Sequence, residues 1–467
     1  MLVGLLWCLA LLSVLVIGIL HSARTDLQLA RHHVDRIQAR HLAWAGIEKA
    51  KALLYQDARE RSRSGVSHNG LLFDAPQHFR DVTLGRGTYR VMRGGRPEEG
   101  GGVIFGVGDE ESRLNLNTAE PADFGKLEGM TQDLPPAIVD WRDGDNQVTP
   151  GGAEAEYYVS LRPPYEPRNG PFLSVRELLL VRGIQRAALL GADTQDSGLP
   201  EMDEASEGDE RSPIGSGPAG GESALSGWAT YLTVHSGVNN VSATGQERAN
   251  VQTADESALT GVRGITAPIA KAIVAHRGQN QLETLADLLE VRPAPPSGPD
   301  GNSPANAQGN PGGPIPGVPG EIQVQRSRGG GPNAGGAPVI DQKLLIEIAD
   351  QLTTDSETLQ PGLVNVNTAS QEVLSCLPGV SRELAHAIIQ YRSSAGFLAN
   401  TAALLSVPGM TTEIFKQIAG RVTARSETFR ILAEGRVRSS GVRQRVQAVV
   451  RVGTTDVELL AYRENDL

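Results

Sequence analysis

One phrase that occurs three times constrains the fold of this chain more than any other feature. It reads LNLNTAEPADFGKLEGM at 114–130, ANVQTADESALTGVRGI at 249–265 and VNVNTASQEVLSCLPGV at 364–380. In every copy a glycine follows an Asn or Gln by 12 positions, and an arginine follows that glycine by 13. Each unit therefore predicts a helix, a tight turn at the glycine and a second helix. The residues in order are Asn117, Gly129 and Arg142, then Gln252, Gly264 and Arg277, then Asn367, Gly379 and Arg392.

The predicted hairpins also carry capping residues and a closing phrase. We expect a threonine to cap the first helix of each copy, with a glutamate in its first turn. Apolar closing phrases at 172–184, 282–291 and 397–410 each predict a further helix. The closing phrase begins 30 residues after the arginine in copy one but 5 in the others, so copy one carries an insertion of about 25 residues. The expected caps are Thr118, Thr253 and Thr368, with Glu120, Glu256 and Glu372.

The N-terminus predicts a membrane helix. Residues 1–20 contain no charged side chain, and about 20 apolar residues span the hydrocarbon of a bilayer. A removed signal peptide would need a charged start and a small-residue cleavage site, so we favour a retained anchor over an export signal. Residues 21–61 keep apolar positions near helical spacing, so the helix continues beyond the membrane. Arginines follow the span and none precedes it, so either the remainder is cytoplasmic or a basic leader is missing from this start.

The rest of the chain predicts an α+β protein. Strand-like runs lie between 78 and 108 and again at 428–437 and 443–452, so one antiparallel sheet encloses an inserted helical domain. Residues 194–222 and 293–338 are rich in Gly, Pro, Ser or Asn and predict unstructured loops. The predicted division is 1–20 transmembrane anchor, 21–61 continuing helix, 62–113 first part of the sheet, 114–292 helical repeats 1 and 2 with an acidic loop at 140–171, 293–338 disordered loop, 339–425 repeat 3, and 426–467 C-terminal strands.

Charge and motif content limit the functional classes. The formal charge of −11 disfavours a nucleic-acid-binding surface, and 249–292 holds four basic and five acidic residues. Nothing resembles a Walker, H-E-x-x-H, C-x-x-C or G-x-S-x-G motif, so we predict no catalytic residue and no enzyme activity. Cys8 and Cys376 cannot form a disulfide framework. The three repeat arginines lie at helix ends, where we expect salt bridges rather than ligand contacts.

The insertion of copy one is the candidate site for chemistry. Its Gly/Pro-rich stretch carries carboxylates, and hard oxygen ligands on a flexible loop suit calcium, whereas zinc would need His or Cys. The residues alone leave a calcium site and a solvated acidic loop equally open. The candidate metal ligands are Asp140, Asp143, Asp145, Glu154 and Glu156.

These features together resemble one family. The stretches DEESRLNLNTAEPADF, AIVDWRDGD, GAEAEYY, PPYEPRNGPFLSVRELLLVRGI and VNVNTASQEVLSCLPGV are similar to those of K-type minor pseudopilins of bacterial type II secretion. The resemblance implies a long N-terminal membrane helix, a pilin-like antiparallel sheet and a large inserted domain of helix-hairpin-helix-like repeats. It also implies structural calcium held by the five acidic residues named above.

The resemblance further implies a structural part in protein export. Such a chain would be processed by a prepilin peptidase, meet the secretion platform and join I- and J-type minor pseudopilins at a pseudopilus tip. It would be a single-pass protein of the inner membrane with its head in the periplasm, and no nucleic acid would be a partner. The family has a basic leader that this start lacks, and such a leader would resolve the conflict over orientation. Two alternatives stay open: a membrane-anchored helix-hairpin-helix protein of DNA uptake, and a surface hydrolase that uses the acidic loop.

Overall fold

A computed structural model describes residues 2–66, 70–191, 227–293 and 337–465. The loop predicted at 194–222 and nearly all of the one predicted at 293–338 lie outside these residues. The chain begins with helix α1, Leu2–Ser64, which is the one helix of the described residues that is long and apolar enough to cross a membrane. Its first half is exposed throughout, whereas buried residues recur on one face from Ala39 to Ala58.

The second half of α1 packs on an antiparallel sheet. Ile47 and Leu54 of the helix contact Val91, Ile431 and other apolar side chains of the strands, and together they form one hydrophobic core. The strands of this sheet are β1 Val82–Leu84, β2 Gly87–Gly94, β3 Val103–Ile104, β4 Gly108–Asp109, β13 Thr428–Val437, β14 Arg443–Val452 and β15 Val457–Asn465. Their order is β1-β2-β13-β14-β15, with β3 paired to β2 and β4 paired to β13.

The predicted strands are confirmed, and one was missed. The β13 and β14 ranges match the sequence prediction, but the run at 102–108 forms only the short β3 and β4. Strand β15 was not predicted, although it lies antiparallel to β14 along most of its length. The first part of the sheet precedes the helical repeats and the rest follows them, so the fold class predicted from the sequence is confirmed.

The inserted region consists of short helices and short paired strands. Its largest core joins buried residues of all three repeats, from Leu114 to Val422. Its strands are β5 Leu114–Asn115, β6 Leu232–Thr233, β7 Gly237–Asn239, β8 Ala249–Asn250, β9 Leu352–Thr353, β10 Leu359–Pro361, β11 Val364–Asn365 and β12 Val422–Thr423. The remaining helices are α2 Pro76–Phe79, α3 Pro121–Phe124, α4 Leu134–Arg142, α5 Ala155–Val159, α6 Arg186–Leu190, α7 Glu256–Thr260, α8 Ala267–Arg277, α9 Gln342–Ile348, α10 Gln371–Cys376, α11 Arg382–Ala395 and α12 Thr412–Ile418.

Each repeat has a strand at both ends, which the sequence prediction did not include. β5 pairs in parallel with β6, β8 with β9 and β11 with β12, so every hairpin unit is closed by a two-residue ladder. The signal is present in the sequence, because T-x-x-S occurs in TVHS, TTDS and TARS at the second strand of each pair. The closing phrases form 3₁₀ turns, Val175–Leu180, Leu285–Glu290 and Thr401–Ser406, rather than α-helices.

The helix caps lie two residues later than predicted. Asp255 and Ser370 accept hydrogen bonds from backbone N–H groups at the starts of α7 and α10, and Glu120 takes the same place at α3. The predicted caps, Thr118, Thr253 and Thr368, were therefore wrong, because each threonine is the last residue of a turn that begins at the asparagine three positions earlier. The predicted turns are confirmed, since Gly129, Gly264 and Gly379 all have positive φ, where a Cβ is strained.

The repeat arginines bind backbone carbonyls rather than helix-end carboxylates. Arg277 Nη1 donates to the oxygens of Val251 and Ala254, at 3.0 and 2.6 Å, and so holds the opening turn to its second helix. Arg142 binds the carbonyls of Leu116 and Ala119, and Arg392 binds that of Val366. Arg392 also lies 3.5 Å from the carboxylate of Glu98. The expectation of salt bridges at these positions was therefore mostly wrong.

Candidate metal site and related proteins

An acidic group forms where α4 ends and α5 begins. Asp140 lies in the last turn of α4, Asp143 directly follows that helix, and Glu154 directly precedes α5. One carboxylate oxygen of each residue lies within 4.8 Å of those of the other two. Asp140 and Glu154 are buried, and Asp143 is half-buried. The loop between the helices therefore brings three acids of the insertion to one point.

Backbone contacts hold Asp140 in place. The Thr149 N–H donates to its two carboxylate oxygens at 3.4 and 3.2 Å. Gly152 passes so close to the same carboxylate that an added Cβ would lie 2.7 Å from its Cγ. The carbonyl of Gly152 accepts a hydrogen bond from Arg182 at 2.7 Å, which fixes this part of the loop. The close passage explains why a glycine occupies this position in the loop.

Three oxygens of the other two carboxylates lack a hydrogen-bond partner among the described residues. They are both oxygens of Glu154 and Oδ1 of Asp143, and all three are buried. Burial raises the pKa of Glu154 to about 7, and the charges of Asp140, Asp143 and Asp145 add to the effect. Burial and the neighbouring acids also raise the pKa of Asp143. Buried charges without partners are costly, so this arrangement favours a bound cation or a proton.

The oxygen spacing fits a divalent cation. Calcium lies about 2.3–2.6 Å from its oxygen ligands, so two ligands on opposite sides of it are separated by about 5 Å. The three oxygens meet that limit, and the described residues place no lysine or arginine nitrogen within 4 Å of them. The set contains neither His nor Cys, as expected for a hard cation rather than zinc.

Two of the five predicted ligands lie outside this group. Asp145 is exposed, and its Oδ1 accepts a hydrogen bond from the Gln147 N–H at 2.7 Å. Glu156 is exposed on the first turn of α5. The sequence did not separate them from the inner three, although Asp140 falls among the apolar positions Ile138 and Trp141 of α4. A carboxylate on the apolar face of a helix is the signal that could have distinguished it.

Aromatic residues pack between the two helices that carry the acidic group. Trp141 of α4 contacts Tyr158 of α5 edge-to-face, with ring centroids 5.1 Å apart, and Tyr165 completes the group. The Trp141 indole N–H donates to Glu177 at 3.1 Å, and Arg168 binds the same carboxylate. The helices that carry Asp140 and Glu154 are therefore held by a packed cluster, which limits how far the acids can separate.

The third hairpin offers little free positive charge. Arg392 is buried against a backbone carbonyl, and Arg425 is 6% exposed. Lys416 pairs with Asp287 and Glu290, and Arg421 pairs with Glu120 and Asp123. A surface that binds phosphates needs exposed cations, and among the lysines and arginines of 361–425 only Arg382 is exposed.

Comparison with known proteins gives a consistent result. Residues 122–191, which include all five predicted ligands, match the family model described as type II secretion system protein K. Residues 361–423 match the helix-hairpin-helix motif. A curated relative, type II secretion system protein K of Pseudomonas aeruginosa, is 26% identical over 201 residues, or 39% of this chain. The alignment spans 56% of that relative, so the chain matches about half of its length.

A solved structure was also found. It is the crystal structure of the GspK-GspI-GspJ complex from the type 2 secretion system of enterotoxigenic Escherichia coli. The superposition has a TM-score of 0.41 and 11% sequence identity, and it covers 95% of this chain and 99% of the other. The domain match and the relative both show similarity to type II secretion system protein K, in agreement with the resemblance seen in the sequence.

Proposed function

We propose that this protein is a minor pseudopilin that caps or nucleates a type II secretion pseudopilus and has no enzymatic role. The observation that carries the proposal is the division of α1 into an exposed apolar half and a half that packs on the sheet below a large head. An exposed apolar helix is suited to a bilayer and to packing beside similar helices. A head on the sheet would obstruct the addition of a further subunit above it.

The proposed partners follow from this role. They are I-type and J-type minor pseudopilins, together with the secretion platform and the prepilin peptidase that processes the N-terminus. The proposed location is the inner membrane, crossed once by α1, with the head in the periplasm. The similarity to protein K and the apolar N-terminal helix support this location.

A complementation experiment tests the role. The chain is expressed in its own organism after deletion of the native copy, and secreted protein is measured in the medium. We expect the chain to restore secretion and Ile17→Arg to abolish it, because an arginine at the centre of the apolar helix is costly in a bilayer. Leu173→Arg is the matched control, because Leu173 in the head and Ile17 are both 66% exposed. Full secretion by the Ile17 variant would contradict the proposal.

We also propose that calcium binds Asp140, Asp143 and Glu154 and stabilises the head. The spacing of the three carboxylates supports this proposal, as do the buried oxygens of Asp143 and Glu154 that have no hydrogen-bond partner among the described residues. Asp145 and Glu156 are outer acids of the same loop. A ligand that binds only the folded state stabilises it by about 2.7 kcal/mol at a hundredfold excess over its dissociation constant.

Thermal unfolding of the full-length chain in detergent, with calcium or with chelator, tests the metal site. We expect calcium to raise the unfolding midpoint, and Asp140→Asn with Glu154→Gln to remove most of that rise. Asp145→Asn with Glu156→Gln is the matched control, because these two exposed acids lie outside the inner group, and it should keep most of the rise. An equal calcium response in both double variants would contradict the site.

A further inference from the structure

Three equivalent polar triads recur in the head. The second residue of the first strand is an asparagine in every repeat, and it pairs with a threonine of the second strand. A threonine follows each asparagine by three positions, and a serine follows each paired threonine by three. We call these sets triad 1, Asn115, Thr118 and Ser236; triad 2, Asn250, Thr253 and Ser356; and triad 3, Asn365, Thr368 and Ser426.

Triad 3 binds a carboxylate from the same chain. Oδ2 of Asp109, at the end of β4, accepts hydrogen bonds from Ser426 Oγ at 2.6 Å and Asn365 Nδ2 at 3.3 Å. The Thr368 hydroxyl also donates to this oxygen. All four residues are buried. One carboxylate oxygen therefore uses all three donors of the triad, which shows what ligand this arrangement of groups accepts.

The backbone covers one side of triad 1. Asn115 Nδ2 donates to Ser236 Oγ at 3.0 Å, as Asn365 does to Ser426 at 2.6 Å. The turn at Gly362 passes over Thr118, so closely that an added Cβ would lie 2.7 Å from the threonine Cβ. No carboxylate can approach the triad from that side.

Triad 2 differs because it opens into a cleft. Asn250, Thr253 and Ser356 all line a cavity of about 870 Å³ between the head, the end of α1 and the end of β14. Thr253 and Ser356 are exposed. Asp355 also lines the cleft, and its carboxylate accepts hydrogen bonds from the Glu357 N–H and from Gln360 Nε2. Its backbone oxygen accepts one from Asn250 Nδ2 at 3.3 Å.

The cleft also contains arginines near the triad. Arg425 and Arg248 line it, and Arg425 Nε is buried with no acceptor within hydrogen-bond distance among the described residues. Arg248 Nε donates to the Asp350 backbone oxygen at 3.0 Å, and Arg425 Nη2 donates to that of Asn239 at 2.6 Å. The nearest carboxylates of Asp350 and Glu427 lie 3.5 and 3.8 Å from the two groups. Their positive charge therefore lies in the wall of the cleft, which also contains five acids: Glu247, Asp355, Glu357, Glu427 and Asp456.

We propose that triad 2 is a binding site for an aspartate carboxylate on an extended acidic segment of another protein. Asp109 provides the template, because it presents its carboxylate to triad 3 from the end of a short strand. The ligand would receive hydrogen bonds from Thr253, Ser356 and Asn250 as Asp109 does from their equivalents. This inference depends on the repeat geometry and not on the secretion role.

Peptide binding to the full-length chain in detergent tests this proposal. The probe is an acetylated and amidated peptide of sequence VGDEE, which copies 107–111, and calorimetry measures its affinity. We expect the peptide to bind and its Asp→Asn analogue to bind at least tenfold more weakly, because the amide loses the charge-assisted hydrogen bonds. No binding, or equal binding of the two peptides, would overturn the proposal.

A pair of matched variants locates the binding. Thr253→Val removes the hydroxyl of triad 2 and keeps the side-chain shape, and we expect it to lower the affinity for the peptide about fivefold or more. Thr118→Val makes the same change at triad 1, whose exposed threonine lies against the turn at Gly362, and should leave the affinity unchanged. Equal affinities of the two variants would place the peptide elsewhere and contradict the assignment.

Discussion

At the scale of single residues, two adjacent glutamates between the sheet and the head have opposite properties. Glu110 and Glu111 are both fully buried. The charges of Arg430 and Arg113 and the hydroxyl of Thr233 outweigh burial and lower the pKa of Glu110 to about 2. Burial and the adjacent Asp109 instead raise the pKa of Glu111 well above its usual value. The pKa of one side chain is therefore lowered and that of the next is raised.

This contrast predicts different effects of the same substitution. We expect Glu110→Gln to cost about 3 kcal/mol at neutral pH, because it leaves the Arg430 charge buried without its partner. Glu111→Gln should cost little, because the amide resembles the protonated acid and its oxygen still accepts from Gly237 and Thr428. Thermal unfolding of both variants and of the unmodified chain measures this difference in stability. Equal losses of unfolding free energy in the two variants would contradict the prediction.

The pH dependence of the two variants should also differ. The folded-state pKa of Glu110 is lowered, so its contribution is present above about 4.5 and is lost as the pH falls towards 2. The deficit of Glu110→Gln should therefore shrink on acidification. The folded-state pKa of Glu111 is raised, so its favourable contribution is present below 4.5 and is lost as the pH rises. Glu111→Gln should gain relative to the unmodified chain as the pH rises.

At the scale of elements, the contact of α1 with β13 depends on a glycine. An added Cβ at Gly435 would meet the carbonyl oxygen of Ala39 and would lie 2.6 Å from the Ala43 nitrogen. Backbone atoms of a helix cannot move aside as a flexible side chain can. Gly435 is therefore the point where the helix and the sheet approach most closely in this strand.

We predict that Gly435→Ala separates α1 from the sheet. The cost should be about 1–3 kcal/mol, the range for inserting a methyl group into a packed core. Gly420→Ala is the matched control, because an added Cβ there meets no atom within 4 Å. Denaturant unfolding of the two variants measures the difference, and an equal change at both positions would show that the helix backbone yields easily.

The sequence predicted some of these elements and missed others. Spacing alone located the glycine turns and strands β13 and β14, because these depend on local periodicity. It misplaced the caps at Thr253 and Thr368, because the turn that delays each helix is stabilised by the preceding Asn250 and Asn365. The strands β6, β9 and β12 pair with residues far away in the chain, so the recurring T-x-x-S motif marks their positions but does not predict their partners. At the acidic loop, composition identified the five carboxylates. Only the structure shows that Asp140, Asp143 and Glu154 come together, whereas Asp145 and Glu156 are exposed.

At the scale of the whole molecule, α1 has two separable parts. The described residues before Ala39 contribute no buried side chain, whereas the face from Ala39 to Ala58 closes the core of the sheet. That face buries Leu42, Ile47 and Leu54, and each large apolar side chain contributes about 1.5–3 kcal/mol when buried. The total of about 5–9 kcal/mol is comparable to the stability of a typical domain, about 5–15 kcal/mol.

Two truncations should therefore behave in opposite ways. A chain that starts at Ile37 loses only the exposed half of α1, and we expect it to remain soluble without detergent and to unfold cooperatively. A chain that starts at Arg63 loses the buried face as well, so the sheet exposes Val91, Ile431 and Val450 to water. It should aggregate or bind a hydrophobic dye. If the shorter chain unfolded as cooperatively as the longer one, the sheet would be stable without α1, and the helix would serve only as a membrane anchor.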